Sequence, residues 1–295
     1  MTEQEDAVEP EWILCVPFIG SVVTFEQRHI ETLADTRIEI VPSAKGYNKL
    51  LIASFESSDQ ARDRFEAVRT GLLAASLTSG MGIRVKDEVV RLADGAPPPD
   101  VDMPFIFKEG HDLRQLIIVP GNVKRQIAKF MPRFRQGFEF GLVSQSALNA
   151  MANERVRFAF EIYADSFFET SDSARFLGLV GVLEVLKDRQ AVSDDVRGLV
   201  DRWMDEASAL VTREAQSLRS RLAWLRNISI AQGIESVVTR HLGAEHGAEA
   251  KKLYGKRSDL VHEGKRLTDP TRAILRRTEK LVMDLLADIL VSGKL

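Results

Sequence analysis

The spacing of apolar positions changes character partway along the chain. From Trp12 to about Leu92 the apolar residues come in short or alternating runs. Ile13–Ile19, Arg37–Val41 and Leu50–Phe55 have strand length and are separated by Gly, Pro, Ser and Asp. Ser57-Ser-Asp-Gln60 places a hydroxyl three residues before a glutamine, the pattern that opens a helix. That helix carries Phe65, Val68, Leu72 and Leu73 on one stripe and is expected to stop at Gly80 or Gly82. The alternation in Ile83–Leu92 predicts another strand, Ala96-Pro-Pro-Pro-Asp100 a stiff connector, and Gln115–Val119 one strand more. After Val123 helical periodicity takes over. It predicts helices over Leu142–Phe168, Ser173–Arg189, Asp194–Leu210, Arg213–Leu242, Ala248–Glu263 and Pro270–Val291. No internal repeat is visible. The expected fold class is α+β: a mixed N-terminal domain over residues 11–140 after an acidic tail at 1–10, then an all-α antiparallel bundle over 141–295.

Composition narrows the function classes. The 295 residues hold 40 Lys and Arg against 43 Asp and Glu, a net charge of −3, so any nucleic-acid contact must come from a local patch. The single cysteine, Cys15, permits no internal disulfide and no cysteine zinc site, and its apolar run reads as the home of a small buried thiol. His241 and His246 lack an evident third ligand. No phosphate-binding glycine loop or serine-nucleophile signature occurs. The acidic start is unlike a signal peptide and no stretch is long and apolar enough to span a bilayer, so the expected location is cytoplasmic.

Two charges stand in apolar stripes. On Phe176–Leu186, Glu184 falls among Phe176, Leu177, Val180 and Leu183. On Leu253–His262, Arg257 falls among Leu253, Tyr254, Leu260 and Val261. A charge turned toward a core costs several kcal/mol unless paired, which predicts a Glu184–Arg257 ion pair fixing helix register. His262 follows Arg257 by five residues, about 140° round a continuous helix, at a point where Gly264 and Pro270 signal a helix end. Basic residues cluster here: residues 251–280 hold ten Lys and Arg against four acids. The run 124–135 holds Lys124, Arg125, Lys129, Arg133 and Arg135 with Phe130 and Phe134. It can be an RNA grip or, as favoured here, a solvated helix face with docked phenylalanines.

The stretch Tyr254-Gly-Lys-Arg-Ser-Asp-Leu-Val-His262 resembles the Arg-(four to six residues)-His signature of the HEPN superfamily, and most closely its Apea-like group. Ala174–Leu186, with Glu184, is similar to the family's earlier acidic helix, and Leu218–Ser229 occupies the intervening position. The resemblance covers about Leu142 to Leu295, and Glu263 departs from a position where glycine is common. It implies a HEPN-like bundle that homodimerises through the helical domain. It further implies a metal-independent, cofactor-free endoribonuclease of toxin–antitoxin, RNA-processing or phage-defence type, with RNA as substrate and an antitoxin or sensor as a possible partner. In that reading Arg257 and His262 are catalytic and Glu184 orients Arg257. Tyr254, Ser258, Lys256 and Lys265 contact substrate, and the RNA 2′-hydroxyl attacks to leave a 2′,3′-cyclic phosphate. An imidazole, with an unperturbed pKa near 6.5, suits proton transfer at neutral pH. A guanidinium suits a developing phosphorane charge. The alternative is a catalytically silent HEPN-like module for binding or assembly.

Overall fold

A computed structural model describes residues 11–21, 29–33, 36–42, 47–93, 96, 102–108, 127–262 and 271–295. The predicted strand at Gln115–Val119, the proline connector, Gly264, Lys265 and the Asp269-Pro270 cap lie outside them. The chain is mixed α/β, a sheet followed by helices, and it divides into two compact units: Met1–Thr170 with Ile289–Lys294, and Ser171–Asp288 with Leu295. The division follows Thr170, some thirty residues beyond the boundary expected at 140/141.

The first unit is built on a seven-stranded sheet. Its strands are β1 (Trp12–Gly20), β2 (His29–Leu33), β3 (Thr36–Pro42), β4 (Tyr47–Phe55), β5 (Ile83–Arg84), β6 (Val90–Arg91) and β7 (Phe105–Lys108). The order is β2-β3-β4-β1-β7-β6, with β5 also on β1, and every pairing is antiparallel except β6 with β7. The alternating run Ile83–Leu92 therefore yields two two-residue strands and not one long one. Two-residue periodicity sorts the sheet's faces. Leu14, Val16, Phe18, Leu50, Ile52 and Ile106 enter the main core. Cys15, Leu51, Phe105 and Phe107 line the other face. Burial pushes the Cys15 thiol up to about 12, with the Lys49 ammonium pulling it back, so it is an inert packed group.

Against the main face lies α1 (Ser58–Ser79), opened by Ser57 Oγ accepting from Gln60 N at 3.2 Å and closed by Gly80 at φ +65°. Both ends match the expectation. Phe65, Val68 and Leu72 join the core. Helix α2 (Ile127–Val143) packs on α1 and contributes Phe134, which stacks on Phe138 at 5.9 Å and on Phe18 at 6.4 Å. Phe134 is thus a core residue, in line with the docked-phenylalanine reading. Arg135 pairs with Glu31 at 3.6 Å. The predicted Leu142–Phe168 helix is two, α3 (Gln145–Ala152) and α4 (Glu154–Ser166), because Ser144 and Asn153 each turn a side-chain oxygen onto the next helix's backbone.

Small residues let α1 and α2 approach backbone to backbone. A Cβ on Gly141 would stand 2.7 Å from Thr70 O. One on Gly137 would stand 2.1 Å from Thr78 Oγ1 and 2.6 Å from Ala74 O. Gly137→Val is therefore expected to lower unfolding free energy by about 1–3 kcal/mol or more. Gly198→Ala, where a Cβ meets nothing within 4 Å, should be neutral or stabilising by up to ~1 kcal/mol. Urea titrations of the two variants check both signs.

Candidate functional site

The second unit contains α5 (Asp172–Leu186), α6 (Asp194–Ser208), α7 (Arg213–Trp224), α8 (Ile230–Leu242), α9 (Ala244–His262) and all but the end of α10 (Thr271–Ser292). The predicted Arg213–Leu242 helix breaks after Trp224. Ser229 and Gln232 form a complete capping box that starts α8 afresh. Helix α5 begins at Ser171, whose Oγ accepts from Ala174 N at 3.1 Å, and runs as a mostly apolar rod with Phe176, Leu179, Val180, Val182, Leu183 and Leu186 buried. It packs on α8 and α9. Gly247 brings α9 close to α8, since a Cβ there would meet Thr239 Oγ1 at 2.0 Å.

Glu184 and Arg257 meet across α5 and α9. Arg257 Nε lies 3.0 Å from Glu184 Oε1, with the two side chains 27% and 26% exposed. The pair sits at the edge of the apolar stripes and is half-buried, not interior. The neighbourhood explains why: Leu253 is buried and Leu260 half-buried, while Val261, expected in the stripe, is exposed. Tyr254 stands one turn before Arg257 and shares its environment. Burial raises the phenol's pKa above its ordinary value, the Glu184 carboxylate raises it further, and the Arg257 guanidinium opposes both. At neutral pH Tyr254 is a hydroxyl donor. Ser258 is half-buried beside Arg257. Lys256 points into solvent and lies 3.7 Å from Asp259.

His262 is the last described residue of α9. Its side chain, and Glu263 and Lys265 beyond it, lie outside the described residues. The backbone is helical from Arg257 to His262.

The basic cluster is partly spent on carboxylates. Lys251 pairs with Glu235 at 2.7 Å, Arg277 with Glu249 at 3.4 Å and Lys280 with Asp284 at 2.7 Å. His241 donates or accepts through Nδ1 at 2.8 Å from Asp288, and His246 Nδ1 lies 3.0 Å from Leu242 O, so the two imidazoles serve different partners.

One feature of the first unit was not anticipated. A recess of about 390 Å3 is lined by Arg84, Lys86, Asp102, Glu161 and Asp165 among apolar residues. Arg69, buried on α1, reaches Glu161 at 2.5 Å, and burial raises the Glu161 carboxyl although Arg69 and Arg157 pull it down. The signal was available in sequence: Arg69 interrupts a small-residue helix and Glu161 interrupts Phe158–Tyr163. No protein-family model, curated protein or solved structure matches this chain.

A double-mutant cycle on Glu184→Gln and Arg257→Gln, read by chemical denaturation, should give a coupling of about 1 kcal/mol that shrinks with added salt. Additivity of the two single changes would show that the ion pair carries no stability.

Proposed function

We propose that the second unit is a metal-independent endoribonuclease of HEPN type, acting on RNA in a toxin or phage-defence setting. The observation that carries this reading is the Glu184–Arg257 pair at 3.0 Å with Tyr254 beside it. An acid on α5 holds a guanidinium on α9, in keeping with what the resemblance of Ala174–Leu186 and Tyr254–His262 implies. Glu184 orients Arg257 by accepting at Nε, which leaves the terminal nitrogens of the guanidinium available to a phosphate. Tyr254, kept protonated by its surroundings, donates to a phosphate oxygen in this reading, and Ser258 does the same. His262 takes the 2′-hydroxyl proton or supplies one to the leaving 5′-oxygen. Because the RNA provides its own nucleophile, the protein's share is proton transfer and charge neutralisation. The resemblance also implies a second copy of the chain, whose Arg257 and His262 would complete one cleft.

A second reading has its own support. Glu184–Arg257 is one of several interhelix pairs in this unit. Arg175 reaches Glu279 at 2.7 Å from α5 to α10, His241 reaches Asp288 from α8 to α10, and Lys251 reaches Glu235 from α9 to α8. In that company the pair is a register device in a silent binding module.

RNA cleavage in excess chelator separates the two. The purified protein should cut RNA with EDTA present and leave 2′,3′-cyclic phosphate ends. Arg257→Ala and His262→Ala should each lose ~10²–10⁴-fold in rate, and Tyr254→Phe should lose less. Cleavage that needs a divalent ion, or that survives both alanine changes, defeats the nuclease reading; absence of any cleavage leaves the binding module.

A further inference from the structure

The recess of the first unit is lined by charges whose own ion pairs leave them incompletely satisfied. Helix α4 sets Glu161 and Asp165 one turn apart on one face. Gly82 lets β5 close on that helix, since a Cβ there would stand 2.6 Å from Ala164 O. Arg84, two residues on, meets Asp165 through Nε at 2.5 Å and lies over the Phe168 ring, 4.1 Å from its centroid. On α1, Leu73 lines the recess, and Arg69 stands one turn before it on the same stripe. The Arg69 side chain is only 6% exposed and reaches Glu161 through Nη2. Its Nε is buried with no hydrogen-bond partner among the described residues.

Three ion pairs surround the recess: Arg69–Glu161, Arg84–Asp165 and Lys86–Asp102, the last at 3.4 Å. Their charges cancel, so a lone anion or a lone cation is attracted by one member of each pair and repelled by the other. Individual groups still keep unspent capacity. Asp165 takes Arg84 at Nε, and the terminal nitrogens of that guanidinium have no partner among the described residues. A planar fork held from behind and stacked on a ring is set for a carboxylate. Glu161 has the opposite deficit. Burial holds its carboxyl above the ordinary value although Arg69 and Arg157 pull it down, and Asp87 raises it further. Its charged form is under-compensated, and a cation brought into the recess would supply what is missing.

The rest of the lining is apolar: Pro17, Ile19, Leu73, Ile83 and Val85. The volume of about 390 Å3 falls within the ~300–1,000 Å3 of small-ligand pockets, which combine an apolar wall with a few polar groups that fix orientation. A carboxylate receptor, an unmet demand for a cation, no net charge and an apolar wall together describe one class of ligand. We propose that this recess binds a free amino acid with an apolar side chain, its carboxylate on the Arg84 fork, its ammonium at Glu161 and its side chain on the apolar lining. The proposal concerns the first unit alone and does not rest on the nuclease reading.

Isothermal titration of the whole chain tests it, with L-leucine and L-phenylalanine as probes. Each is set beside its deaminated analogue (4-methylpentanoate, 3-phenylpropanoate) and its decarboxylated one (3-methylbutylamine, phenethylamine). At least one amino acid should bind with a Kd of about 0.01–1 mM, the range open to a ligand of that size. Either analogue of that amino acid should bind about tenfold more weakly or worse, because one charge-assisted contact is gone. Arg84→Gln, at a half-exposed side chain, should weaken the amino acid by a similar factor with the helical circular-dichroism signal retained. Glu161→Gln keeps an oxygen for Arg69 and should weaken it too; if that variant does not fold, Arg84→Gln decides. Failure of both amino acids to bind at up to ~10 mM overturns the proposal. So does an analogue that binds as tightly as its parent, or an Arg84→Gln protein that binds as the wild type does.

Discussion

The helical unit depends on charges that its apolar helices cannot leave alone. Helix α5 is apolar over most of its surface, and an aliphatic rod by itself specifies neither the rotation nor the sliding of its neighbours, because many registers bury similar area. Glu184 and Arg257 remove that freedom. In a half-buried position each would cost free energy without the other, so registers that separate them are penalised while the 3.0 Å contact is retained. Arg175–Glu279 and Asp188–Arg240 act the same way on α10 and α8. The net worth of each pair is small; the cost of the alternatives is what gives them effect.

Register in turn decides which chemistry faces where. With Arg257 held on α5, Tyr254 is drawn into the same half-buried environment, where its phenol keeps its proton.

Much of this was legible from local pattern. The strands β1, β3 and β4, the helices α1, α5, α6 and α10, the caps at Ser57 and Ser171 and the Glu184–Arg257 pair follow from periodicity and from side-chain chemistry acting over a few residues. So does the end of α1 at Gly80. The breaks at Asn153 and Ser229 were written there too, as capping residues, but apolar periodicity ran across them and concealed them. What was not legible has a different origin. Helix α2 contains Pro132, Gly137 and Gly141, poor helix formers, and exists because those glycines let it close on Gly71, Ala74 and Ala75 of α1. Strands β2 and β7 are short and gain their identity from pairing with β3 and β1. The first unit extends to Thr170 because α3 and α4 pack on α1 and its neighbours, contacts between residues far apart in the chain. Local spacing controls hydrogen bonding and the facing of side chains within an element, and so it named the elements and the charges out of place. Which elements share a core and how deep a charge lies depend on volumes filled from several directions at once, and those no single stretch of chain encodes.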